Sequence, residues 1–394
     1  MYPIYWVLVT FLVSRRIKTE IIYKMSESIK GFCLHGREKI APNSGVSVTS
    51  NTSVVEMDIP ELKEGEILAK TLYTGICGSD NSASLGKSNF DWVERPRVIG
   101  HEFSAEVLEL GPGDHGDVKV GDIFTPLAML GCQEEDCPAC SVAKWNLCPG
   151  KQIIGFHRNG GFGQRVVLES DRVVQFMDGL TPAQGALVEP LSVVVNALYN
   201  KCHIKPGDDV VVTGCGIIGL MSAELAKAAG ARVAITGIAH DRDIRMKSAT
   251  ERGFIPIEVS PENSLTAQLA AGIKDANGVP FGNKGKIDLL IECSGVPQVL
   301  TEAIDVVRPE GDICVIATYP KEVAINATHL TRTSLNMRGS MGSCRDDYMV
   351  AQKLMITGVF PSEHYTNMYD FADITQAFED SIKANNVKAV VKMN

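Results

Sequence analysis

The segment Val210-Val211-Val212-Thr213-Gly214-Cys215-Gly216-Ile217-Ile218-Gly219 constrains this chain more than any other. A β-branched run enters a Gly-x-Gly-x-x-Gly turn, and an Ala-rich apolar stretch follows as far as Gly230. That order predicts a strand, a tight turn and the start of a helix. The first two glycines let the backbone bend and approach a pyrophosphate, and the third lets helix and strand pack closely. The helix N-terminus then offers free N–H groups to the phosphates. Gly214, Gly216, Ile217, Ile218 and Gly219 are therefore candidate dinucleotide-binding residues. The competing reading is an ordinary Gly-rich turn of an α/β protein.

The surrounding pattern agrees with the first reading. Strand and helix alternate from here: 210–213, 217–229, 232–236, 287–292, 298–307 and 313–317. Such alternation predicts a parallel sheet covered by helices. Upstream, Gly65 to Thr71 alternates as a half-buried strand, and glycine turns recur from Gly100 to Gly163. The first half thus reads as rich in strands and loops. Thr181-Pro182 opens a helical stretch over 183–200, with Thr181 as cap and Pro182 at the first helical position. A helix over 346–357 and a strand over 387–393 return to complete the first domain.

At 394 residues the chain exceeds one typical core,. Net charge is −9, which argues against a nucleic-acid partner, since phosphate binding needs a basic face,. The run Tyr5 to Val13 is apolar and is followed by Arg15, Arg16 and Lys18. It is shorter than the ~20 apolar residues that span a bilayer. A signal peptide carries its positive charge ahead of the apolar run. The expectation is an N-terminal extension over 1–24, with Met25 as an alternative start and no membrane association.

Four of the 11 cysteines, Cys132, Cys137, Cys140 and Cys148, crowd into one short segment. Clustering around Cys-x-x-Cys inside a long chain reads as metal binding rather than a disulfide framework. A reducing compartment, the cytoplasm, is the simplest setting. A second donor set is Cys77 in Gly75-Ile76-Cys77-Gly78-Ser79-Asp80 with Gly100-His101-Glu102. Catalytic zinc takes three protein ligands of these types and leaves one position open. Glu189 lies in the apolar run Ala186-Leu187-Val188-Glu189-Pro190. A carboxylate buried there needs a partner, because burying it bare is costly.

Taken together, these motifs resemble the zinc-dependent medium-chain dehydrogenase/reductase family over nearly the whole length from Met25 to Asn394. Gly160-Gly161-Phe162 belongs to the same series. Gly-His-Glu-Phe-Ser and Leu-Val-Glu-Pro-Leu-Ser look most like its polyol and threonine dehydrogenase branch. The resemblance implies an α/β fold: a GroES-like catalytic domain (25–195 and 340–394) and a Rossmann doubly wound parallel-sheet domain (196–339). It implies that Cys77, His101 and either Glu102 or Glu189 hold a catalytic zinc, the other glutamate lying behind or exchanging. It implies a structural zinc on Cys132, Cys137, Cys140 and Cys148, although the first gap is longer than the family's, so that Glu134 or Glu135 is an alternative first ligand. Ser79 would bond the substrate hydroxyl and pass its proton on. Ser82 stands where the family often has a histidine, which leaves the proton exit open.

The resemblance implies reversible hydride transfer between a secondary alcohol, such as a polyol or sugar, and a nicotinamide coenzyme. It also implies a homodimer or homotetramer. The strand end Glu292-Cys293-Ser294-Gly295 should line the coenzyme cleft. Sheets of this kind that bind NAD usually end the second strand in an acid that bonds the ribose 2′-hydroxyl. Here Gly237 stands at that point, Asp241 and Asp243 come later and face solvent, and Arg242 follows. The missing acid and the arginine favour NADP over NAD. Two other readings are a zinc-free quinone or enone reductase and a non-catalytic NADP(H)-binding protein.

Overall fold

The protein is described by a computed structural model covering residues 28–41 and 44–394. The expected N-terminal extension and the alternative start at Met25 lie outside the described residues.

The glycine-turn region forms a six-stranded parallel sheet. Its order is Ile255–Glu258, Arg232–Gly237, Asp209–Thr213, Ile287–Glu292, Val307–Val315 and Asn336–Gly339. The chain winds outward one way from Asp209–Thr213 and then the other way from Ile287–Glu292. This is the doubly wound arrangement, and its crevice opens at the C-terminal ends of those two central strands. Val210, Val211 and Val212 are fully buried. Val210 and Val212 join one apolar cluster with the helices Val188–Tyr199 and Ile217–Ala228. Val211 joins another with Leu300 and Ile304. Period-two alternation thus feeds two cores, as a strand covered on both faces requires.

The first half forms a mainly antiparallel sheet. Glu66–Gly75 lies between Glu102–Leu110 and Lys388–Lys392, and it also pairs with Arg165–Glu169. The C-terminal strand returns to this sheet as expected. Tyr348, on the helix Arg345–Ile356, accepts a bond from the Ala128 N–H at 3.1 Å and ties the returning chain to the first half.

Two expectations need local correction. The helix over 183–200 is two pieces, Pro182–Gly185 and Val188–Tyr199. Thr181 caps the first through the Gln184 N–H at 3.3 Å, and the chain breaks at Ala186 and Leu187 to enter the second. The strand placed at 313–317 runs from Val307 to Val315, because the chain passes from the helix Pro297–Val306 directly into it.

Candidate active site

Strand register assembles the first donor cluster. Gly75 is opposite both Glu102 and Val390. Cys77 follows that strand, His101 precedes Glu102, and Lys388 lies two residues before Val390, so all reach the same end of the sheet. The donor atoms of Cys77, His101 and Glu102 lie within 4.8 Å of one another. Gly75 is required here. A Cβ would come within 2.7 Å of Glu102 Oε2 and 3.0 Å of Lys388 Cε.

Each member has a fixed partner. Cys77 caps the helix Gly78–Ser84, and Asp80 on that helix accepts the Cys77 N–H at 3.0 Å. The other Asp80 oxygen lies 3.6 Å from His101 Nδ1. Such a carboxylate fixes the imidazole orientation and leaves Nε2 to face a metal. Ser79 Oγ stands 3.4 Å from His101 Nε2. Burial works against a charged His101, yet Asp80 and Cys77 raise its pKa well above the ordinary value. The same negative groups attract a metal cation.

Lys388 was not singled out in the sequence. It is buried, donates to the Ile76 carbonyl at 2.8 Å and is ion-paired with Glu102 Oε2. Burial lowers its pKa, but the Glu102 carboxylate outweighs this and raises it above the ordinary lysine value. The signal was legible: a lysine inside Val387-Lys388-Ala389-Val390-Val391 invites the same question as Glu189. Glu189 is buried on the first turn of Val188–Tyr199, where the helix dipole favours a negative charge,. Burial pushes its carboxyl up to about 7, against the pull of His101. It lies outside the tight Cys77–His101–Glu102 group.

An aromatic wall flanks His101. Phe156 is 5.4 Å from its ring, with Phe90 and Trp92 packed on Phe156 at 5.3 and 6.1 Å. His157 stacks on Trp92 at 4.7 Å and accepts the Ile153 N–H, a loop role rather than one in proton transfer.

The four clustered cysteines converge despite the long first gap. Cys148 and Cys132 sulfurs are 3.5 Å apart, and the Cys132–Cys140 and Cys137–Cys148 pairs are each 3.8 Å apart. Four thiolates on one tetrahedral zinc, with bonds of ~2.3 Å, sit about 3.8 Å from each other. Gln133 takes a left-handed conformation that turns the longer loop back, and Glu134 and Glu135 stay exposed.

The glycine turn fits a pyrophosphate. Gly214 has φ +86°, and a Cβ on Gly219 would fall 1.9 Å from the Gly214 carbonyl oxygen. Gly216 faces open space at the N-terminus of Ile217–Ala228. A Cβ on Gly214 would meet Ser294 Cα at 3.1 Å, so Ser294 lies against the turn. Glu292 is wholly buried beneath it, accepting bonds from the Ser294 and Tyr319 hydroxyls, the Ser294 N–H at 2.8 Å and Thr213 Oγ1 at 3.3 Å. Gly237 ends the second strand. Asp241, expected to face solvent, instead accepts the Ile238 N–H and pairs with Arg245, because it caps the short turn that follows the strand. Arg242 is exposed and forms a bidentate pair with Glu258.

A doubly wound sheet with a glycine turn at a helix N-terminus, beside a largely buried thiol–imidazole–carboxylate cluster, has the parts of a metal-assisted dinucleotide oxidoreductase,. Comparison with known proteins agrees. Residues 63–178 match the family described as the alcohol dehydrogenase GroES-like domain, and residues 218–357 match that described as zinc-binding dehydrogenase. D-arabitol-phosphate dehydrogenase of Enterococcus avium is 29% identical over 86% of this chain and 93% of its own length. Sorbitol dehydrogenase of Halalkalibacterium halodurans is 30% identical over 78% and 85%. A Sinorhizobium meliloti protein solved with NADP bound is 26% identical, with TM-score 0.78 over 93% of this chain and all of that one. The chain belongs to the zinc-type medium-chain dehydrogenase family. It is an enzyme that uses zinc and NAD or NADP to interconvert an alcohol and its carbonyl compound. No helix among the described residues is long and apolar enough to cross a membrane.

Proposed function

We propose that this protein oxidises a secondary alcohol of the polyol or sugar class, with Cys77, His101 and Glu102 as the ligands of its catalytic zinc. The observation that carries the reading is the convergence of those three donors at one end of the antiparallel sheet. Lys388 engages Glu102 Oε2, and the carboxylate has a second oxygen to offer a metal. Glu189, buried beside the first donor group and within the electrostatic reach of His101, is the carboxylate that exchanges with Glu102. Cys132, Cys137, Cys140 and Cys148 are assigned to the structural zinc.

When bound, the metal supplies a Lewis acid for the substrate oxygen and the nicotinamide supplies the hydride acceptor. The chain does the rest. Asp80 holds the His101 ring in place. Ser79 takes the hydroxyl proton at its Oγ and passes it outward. Phe156, with Phe90 and the half-exposed Trp92 packed on it, forms an apolar wall on one side. The coenzyme lies on Gly214, Gly216, Ile217, Ile218 and Gly219, with Gly237, Arg242 and Ser294 beside it.

The division at 195/196 and 339/340 belongs to the same reading. So does assembly as a homodimer or homotetramer, supported by the edge strand Asn336–Gly339, which pairs on one side with Val307–Val315 in its sheet,. A cytoplasmic setting is supported by the 11 cysteines, none of which is paired in a disulfide,. The substrate reading draws on the named sorbitol and D-arabitol-phosphate dehydrogenases. Its test is a panel of polyols, sugars, sugar phosphates and amino alcohols with NAD and NADP in parallel on zinc-quantified enzyme. Turnover of a secondary polyol is expected. A preference for enones or quinones by enzyme free of zinc would overturn it.

A further inference from the structure

We propose that Glu258 sets how far the coenzyme site accepts a 2′-phosphate, by holding the Arg242 guanidinium that would otherwise bind it. The inference rests on the coenzyme reading above and concerns a residue outside it.

The argument begins at Gly237. A Cβ there would sit 2.7 Å from Met246 Cγ and 2.8 Å from Cys215 Sγ. No acidic side chain fits at this strand end, which ordinarily carries the acid that bonds the ribose. The adjacent strand supplies one instead. Glu258 is the register partner of Gly237 at the C-terminal end of Ile255–Glu258, and the Val259 N–H bonds the Gly237 carbonyl at 2.9 Å. A carboxylate therefore stands one strand across from the vacant position, on the side where coenzymes bind.

That carboxylate is not alone. Arg242 Nε and Nη2 donate to its two oxygens at 2.8 and 2.6 Å. The neighbouring cation, Arg245, is engaged elsewhere, with Asp241 and the Asn386 carbonyl. Arg242 is thus the guanidinium at these strand ends that can turn to a ligand. Both members of its pair are exposed, 63% and 38%, so the pair opens at small net cost,. Arginine binds carboxylate and phosphate through the same planar fork. A 2′-phosphate must take Arg242 from Glu258 and then tolerate the freed carboxylate beside it. A 2′-hydroxyl is neutral, can donate to Glu258, and leaves the pair intact. Glu258 therefore costs NADP binding and spares NAD.

The test is calorimetric titration of the intact enzyme with 5′-AMP and with 2′,5′-ADP, which carry the discriminating groups and need no turnover. Glu258→Gln is expected to tighten 2′,5′-ADP by about tenfold, the scale of removing one like charge from a charged hydrogen bond. Binding of 5′-AMP should stay within about threefold, since the neutral hydroxyl loses little. The double variant Glu258→Gln/Arg242→Ala should lose the gain. An unchanged ratio of the two affinities in Glu258→Gln, or a gain that survives the double substitution, overturns the proposal while leaving the coenzyme reading in place. Failure of the unaltered enzyme to bind either nucleotide overturns both. Both side chains are exposed, and unfolding midpoints check that the variants remain folded.

Discussion

At the scale of single residues, buried charge is the organising fact. Lys388 and Glu102 are both nearly inaccessible, and each compensates the other. Removing one member of such a pair strands the other and typically costs ~3–5 kcal/mol. Lys388→Met should therefore lower the unfolding free energy by that order in urea titrations, and adding Glu102→Gln should recover most of the loss. A single-mutant cost near zero would mean the pair is dispensable to the fold. Cys77 differs: it is partly buried, and in the proposed reading it carries chemistry more than stability. Cys77→Ala should reduce kcat by about three orders of magnitude or more, the scale of losing a metal-centred transition-state contribution. Coenzyme affinity, read by quenching of protein fluorescence, should stay near that of the parent. Retained activity would sink the ligand assignment.

At the scale of elements, the turn between Asp209–Thr213 and Ile217–Ala228 decides whether a coenzyme can approach. Its third glycine has no space for a side chain, since a Cβ at Gly219 would collide with the Gly214 carbonyl. Gly219→Ala should displace the first turn of the helix and weaken NAD and NADP alike by about tenfold or more, ~1.4 kcal/mol. The readout is the dissociation constant for each coenzyme. Equal affinity in parent and variant would mean that the pyrophosphate lies elsewhere. The prediction is separable from that for Glu258, which alters the ratio of the two coenzymes rather than both together.

At the scale of the whole molecule, the cysteine lobe is tied to the C-terminal part of the chain. Asn146 Nδ2 donates to the Met341 carbonyl at 2.5 Å, and Cys344 Sγ bonds Asn146 Oδ1 at 3.0 Å. The lobe thus braces the start of the helix Arg345–Ile356, which packs on Val188–Tyr199 and so backs Glu189. Cys148→Ser should lower the zinc content by one per chain and Tm by about 5 °C or more, because a structural zinc contributes folding energy directly. Mass-spectrometric metal counting and thermal scans check both. An unchanged zinc content would remove the lobe assignment.

Much of this was legible in the sequence, because the informative features are local. Period-two apolar runs, a glycine turn before a helix and a Cys-x-x-Cys core each occupy a few neighbouring residues. Backbone sterics and metal geometry give such patterns a single physical meaning. They led to the doubly wound sheet, the glycine turn before its helix, the two sets of converging donors and the return of the C-terminal strand. What only the tertiary structure decided is which distant charges meet. Lys388 reaches Glu102 across 286 positions of chain, and Glu258 reaches Arg242 from the neighbouring strand. Asp241 turns inward to cap rather than outward to solvent. Ion pairs of this kind have no periodicity. They depend on strand register and side-chain reach, which exist after the sheets have closed.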